Sequence, residues 1–96
     1  MDAELKDYLE KRMRSNEELL PEHMRDAMRN YLFHRIEPGS FLAAVLCNDL
    51  RGAVGSADRI NKQALTEIVQ FCMWALPSNA WGSTERVAAW LAAREA

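Results

Sequence analysis

Residues 41–47, FLAAVLC, are apolar without a break. At 3.6 residues per turn such a run is apolar on every side, so none of its faces belongs in water. Other helices have to surround it. This predicts an all-α fold: a compact bundle of five or six short helices around a central apolar helix. A membrane span is excluded as the reason for the run, because a span needs roughly 18 apolar residues and no stretch approaches that.

Prolines and small polar residues divide the rest. Pro38 removes a donor and disfavours helical geometry at Glu37, so a helix must end before "EPGS", and Ser40 is placed to cap the next. Upstream, Pro21 marks a helix start, and Met24, Met28, Tyr31, Leu32 and Ile36 follow at helical spacing, with Arg25, Asp26 and Arg29 on the other face. Downstream, Asn48 and Asp49 interrupt, then "LRGAVGSAD" predicts a short helix holding Gly52 and Gly55. An interior glycine costs about 1 kcal/mol against alanine, and close approach of another backbone is the usual reason to tolerate it. Ser56 or Asp58 then caps the longest helix, predicted over 59–75, with Ile60, Ala64, Leu65, Ile68, Val69, Cys72 and Leu76 as its core stripe. Pro77 stops it. Ser83 caps a last helix that buries Val87, Trp90 and Leu91, with Glu85 in its positive first turn. Trp81 sits in the turn between them, where its ring is expected to fix the angle of the last helix. Nothing in the chain has a strand pattern.

The first 20 residues differ in character. Asp2 can cap a helix from Ala3, and Leu5, Tyr8, Leu9 and Met13 make one narrow apolar stripe. Asp2–Lys6, Asp7–Lys11 and Glu10–Arg14 are acid-before-base pairs four apart. Ser15 and Asn16 break the pattern. Residues 1–20 therefore form an N-terminal amphipathic helix, and 21–96 a helical core domain. The stripe either lies on that domain or meets a partner helix, which makes a self-associating structural protein one alternative function. Seven Lys/Arg and nine Asp/Glu fall within 1–37, against five of each in 38–96, so the second part carries most of the core.

Catalytic chemistry finds little support. His23, His34, Cys47 and Cys72 are spaced 11, 13 and 25 apart, with no short pair to preorganise a metal. Both cysteines have apolar neighbours, which raise a thiol's pKa and fit a reduced pair of core thiols in the cytoplasm better than a nucleophile. Gly52 and Gly55 lack the Lys-Ser/Thr of a phosphate loop, and the acids are scattered. The sequence thus predicts no enzyme, no metal and no cofactor. A net charge of -2 and a pI of about 5.6 argue against direct nucleic-acid binding. A helix-turn-helix-like DNA-binding regulator stays as an alternative over 48–62, where Arg51, Arg59 and Lys62 face Asp49 and Asp58. Protein binding is the leading class, with any exposed members of Tyr31, Met73, Trp74 and Trp81 as anchors. Acidic and amide groups at helix ends, Asn48, Asp49, Asp58 and Asn61, are the expected partner-binding residues.

"PGSFLAAVLCNDL", Ala57-Asp58 with Asn61, Leu65 with Ile68-Val69, Pro77 with Trp81-Gly82-Ser83, and Val87 with Trp90-Leu91 together resemble a group of small proteins from bacteriophages and mobile elements. "PEHMRD" and "HRI" fit it too, so the likeness covers about 21–92. That group includes anti-CRISPR inhibitors of type I effector complexes. The resemblance implies a small non-enzymatic protein that binds a Cascade-type host complex and blocks target DNA. It carries over no functional residue, and 1–20 lie outside the pattern.

Overall fold

The computed structural model describes residues 1–93. Among these there are seven α-helices and no strand: α1 (Ala3–Asn16), α2 (Glu22–His34), α3 (Ser40–Leu46), α4 (Leu50–Ser56), α5 (Arg59–Gln63), α6 (Leu65–Ala75) and α7 (Thr84–Ala92). Two 3-10 turns, Glu17–Leu19 and Ser78–Ala80, join α1 to α2 and α6 to α7. No helix among the described residues is long and apolar enough to cross a membrane.

Caps set most boundaries. The carboxylates of Asp2, Asp49 and Asp58 accept from the backbone N–H of Leu5, Gly52 and Asn61, and Ser83 Oγ accepts from that of Arg86. Three boundaries differ from the sequence expectation. Gly39, not Ser40, is the N-cap of α3. Ser15 and Asn16 stay helical, with Ser15 Oγ and Asn16 Nδ2 donating back to the carbonyls of Lys11 and Arg12. The predicted 59–75 helix is two helices, divided at Ala64, which lies outside helical geometry at φ -96° and ψ 3°. That division raises the count to seven.

The core is built from α1, α2, α3, α6 and α7. Leu9 and Met13 of α1 and Leu20 are fully buried beside Met28, Tyr31, Leu32, Leu46, Ile68, Phe71 and Cys72. The N-terminal helix is therefore part of the core through Leu9 and Met13, which the chain's own α6 covers, while Leu5 and Tyr8 of the same predicted stripe stay exposed. The radius of gyration, 12.5 Å, equals the roughly 12.5 Å of one folded unit of this length, which leaves no room for a detached α1. In α3, Phe41, Leu42, Val45 and Leu46 are buried, while Ala43, Ala44 and the C-cap Cys47 are half-buried. Only Leu46 of that helix ranks with the most deeply buried side chains. Ile36 and Ile60, read as core positions, are exposed: Arg35 leaves α2 in left-handed geometry at φ 55°, and α5 turns Asn61 inward instead of Ile60.

Long-range hydrogen bonds tie the two ends of the chain together. The Tyr31 hydroxyl donates to the Ala80 carbonyl at 2.5 Å, and Trp90 Nε1 donates to the Tyr31 carbonyl at 3.2 Å. Arg35 stacks 3.7 Å from the Trp90 ring centroid and donates to the Trp90 carbonyl. Gly82 takes φ 109°, a conformation that disfavours any side chain, and donates its N–H to Leu46 at 2.7 Å. Trp81, just before it, is half-buried and packs on the core.

Candidate functional site

Helix α6 has two apolar sides. Ile68, Phe71, Cys72 and Ala75 point into the core. At 100° per residue, Leu65, Val69 and Met73 form a second row about 110° round the helix, with Thr66, Gln70 and Trp74 beyond it, and Leu65 and Val69 still pack against the edge of the core. Leu50, the first residue of α4, closes one flank. These seven residues line an open groove of about 430 Å³. Leu65 and Val69 are half-buried and form its floor. Leu50 (68% exposed), Met73 (64%) and Trp74 (48%) stand out from its walls. None of the seven carries a charge.

A smaller recess continues the groove toward α3. It shares Leu50, Leu65 and Val69 and adds Val45, Ala53, Asn48 and Asp49. Asn48 holds left-handed geometry at φ 61°, a turn that asparagine tolerates better than most residues, and it ends α3. Asp49 follows it and caps α4. Two of the expected partner-binding residues thus stand together at one end of the groove. Outside the groove, Arg12 of α1 donates to the Trp74 carbonyl, one of the acceptors that a helix C-terminus leaves free.

The other two expected residues lie elsewhere. Asp58 is exposed at the start of α5, with Oδ2 3.7 Å from His23 Nε2. Asn61 is 5% exposed and does not reach the surface. Its Nδ2 donates weakly to Met24 Sδ at 3.8 Å, and its Oδ1 is buried without a partner. Of the candidate anchors, Met73 and Trp74 are exposed, Trp81 is half-buried and Tyr31 is fully buried. Leu50, the most exposed large apolar residue of the groove, was not singled out from sequence. The second apolar row on α6 was the available signal: one helix carried more apolar circumference than one core can cover.

Burial holds the Cys72 thiol protonated, with its pKa pushed up to about 12, and it raises the Tyr31 phenol above the usual range as well. No group of three or more His, Cys, Asp or Glu is placed to hold a metal ion among the described residues. The segment read as a possible helix-turn-helix contains α4 and α5, of seven and five residues. A five-residue helix spans only about 7.5 Å and offers few side chains to a groove of DNA. The chain matches no known protein family, curated protein or solved structure.

Proposed function

We propose that this chain is a non-enzymatic binding protein that acts on a protein partner through the α4–α6 groove. One observation carries this: Leu50, Met73 and Trp74 are exposed around an uncharged concave face, although a chain of 96 residues needs its large apolar side chains for the core. Tryptophan and methionine are favoured at interface centres, and lysine and glutamate are depleted there. Asn48 and Asp49 supply a polar rim at one end.

For the partner we follow the sequence resemblance to phage-borne inhibitors of type I CRISPR effector complexes. In that setting the chain works in the cytoplasm of a bacterial host and occupies a Cas protein surface, so that target DNA does not enter. Asp49 is then available to a lysine that otherwise holds a phosphate. The test is a titration into a reconstituted type I effector complex, with capture of labelled target duplex as the readout. Capture should fall in proportion to added protein and stop at a fixed stoichiometry. Loss of capture that grows with time at substoichiometric amounts would mean enzymatic inactivation. Unchanged capture at excess protein would remove this partner.

A further inference from the structure

We infer that a pocket where α1, the end of α2 and α7 meet is a second binding site, which takes an organic carboxylate with a short apolar body. It shares no residue with the α4–α6 groove and does not depend on it. The pocket holds about 260 Å³ and is lined by Leu5, Arg35, Asn79, Ala89, Trp90 and Ala93. Arg35 and Asn79 bring polar donors, the rest of the lining is apolar, and none of it is acidic.

Arg35 is held in place and left unpaired. Its guanidinium lies 3.7 Å from the Trp90 ring centroid, and Nη1 donates to the Trp90 carbonyl at 2.7 Å. The rest of its fork has no hydrogen-bond partner, and no carboxylate pairs with it, among the described residues. Stacking fixes the plane of the fork. A carboxylate is the group that meets the edge of such a plane with two parallel hydrogen bonds. The backbone agrees: Arg35 takes φ 55° in the turn after α2, where glycine is the usual residue. Strain of this kind is borne where the position of the residue matters. Asn79, in the turn before α7, is exposed, and its side-chain amide is also without a partner among the described residues. Its Nδ2 adds a neutral donor. Arg86 donates to the Ser78 carbonyl, one residue before it, which adds a second cation near that rim. The apolar lining sets the rest of the ligand. Leu5 is 40% exposed, and an apolar body covers it where a bare phosphate would leave it wet. Pockets for drug-sized molecules run from about 300 to 1,000 Å³, so the ligand here is smaller.

The test is a titration of the full chain with phenylpropionate, followed in two-dimensional N–H NMR spectra at Arg35 Nε and Asn79 Nδ2. Both resonances should shift and saturate, with a Kd of about 1 mM or tighter. Phenylpropionamide keeps the shape without the charge, and inorganic phosphate keeps charge without the apolar body; each should bind roughly tenfold more weakly or worse. Arg35→Lys keeps the charge and loses the fork, and should weaken the acid by a similar factor, read at Asn79. It also loosens the hold on Trp90, so Asn79→Ala stands beside it. That side chain is exposed and unpaired, so the variant should melt as the parent does and still bind the acid about threefold more weakly, read at Arg35. Acetyl-alanyl-phenylalanine is run against phenylpropionate to separate two sources of the same group. Tighter binding of the peptide assigns the pocket to a protein C-terminus, and tighter binding of the acid to a free small molecule. Unmoved resonances, an equal response to the amide or to phosphate, or folded Arg35→Lys and Asn79→Ala chains that bind as the parent does would overturn the site.

Discussion

Asn61 is a polar side chain in an apolar place. Its backbone N–H is well held by Asp58, at 2.7 Å, but its Oδ1 is buried without a donor. An orphaned buried acceptor costs about 1–3 kcal/mol, and an apolar replacement of similar shape removes that cost. Asn61→Leu should therefore match or exceed the parent in urea denaturation; a loss beyond about 1 kcal/mol would show that the amide is needed. The burial was half legible: Asn61 lies seven residues before Ile68, on the same stripe, but its place in the first turn of a capped helix looks like surface. Asp49 and Asp58 are caps as well as surface charges. Lysine at either site confounds charge with about 1 kcal/mol of lost capping, whereas Asp→Asn removes the charge and keeps the cap. Thermal melts should show Asp49→Asn and Asp58→Asn close to the parent, with both alanine variants lower. Cys72 makes stability depend on alkaline pH. Burial lifts its pKa from the ordinary exposed-thiol value of about 8.5 up to about 12. Below the first value both states hold the proton. Between the two, the unfolded chain loses a proton that the folded chain keeps, so stability falls as pH rises, by about 1.4 kcal/mol per unit. Urea midpoints from about pH 8 to about pH 11 should drop less steeply in Cys72→Val.

Among the elements, α4 explains its own glycines. A Cβ on Gly52 would meet Asp49 Oδ2 at 2.3 Å, while one on Gly55 would meet nothing within 4 Å. Gly52 thus makes room for the cap, not for another backbone, and Gly55 has no packing reason at all. Gly55→Ala should stabilise by about 0.5–1 kcal/mol and Gly52→Ala should not, as read by thermal melting. The break at Ala64 was not legible, since alanine is a strong helix former; tertiary packing overrides that preference by turning Asn61 inward and Ile60 outward. The amphipathic α1 was legible as a helix but not as to its partner. Leu9 and Met13 meet α6 inside this chain, and Arg29 reaches Glu10 at 2.5 Å. Deleting residues 1–20 should therefore give an unfolded or aggregating product by circular dichroism, not a soluble core domain. A cooperative melt of the remainder would contradict this.

For the molecule as a whole, the periodicity of apolar residues was enough for the all-α class, because every long buried stripe repeats at helical spacing. Tyr31, Trp90, Gly82 and Leu46 then fix α2, α3 and α7 to one another through hydrogen bonds that no local pattern announces. The same periodicity located part of the exposed apolar face: Met73 and Trp74 were visible as apolar excess, whereas Leu50 came beside them only by the folding of the chain after α3. With its inner side committed to the core, α6 has its outer side left for a partner, and that is the central claim. It is tested by duplex capture with the reconstituted effector complex and a variant carrying Met73→Ser and Trp74→Ser. Both side chains are exposed, so the variant should melt within about 1 kcal/mol of the parent. The account predicts that the parent blocks capture and the folded variant does not; a variant that blocks as the parent does would contradict it.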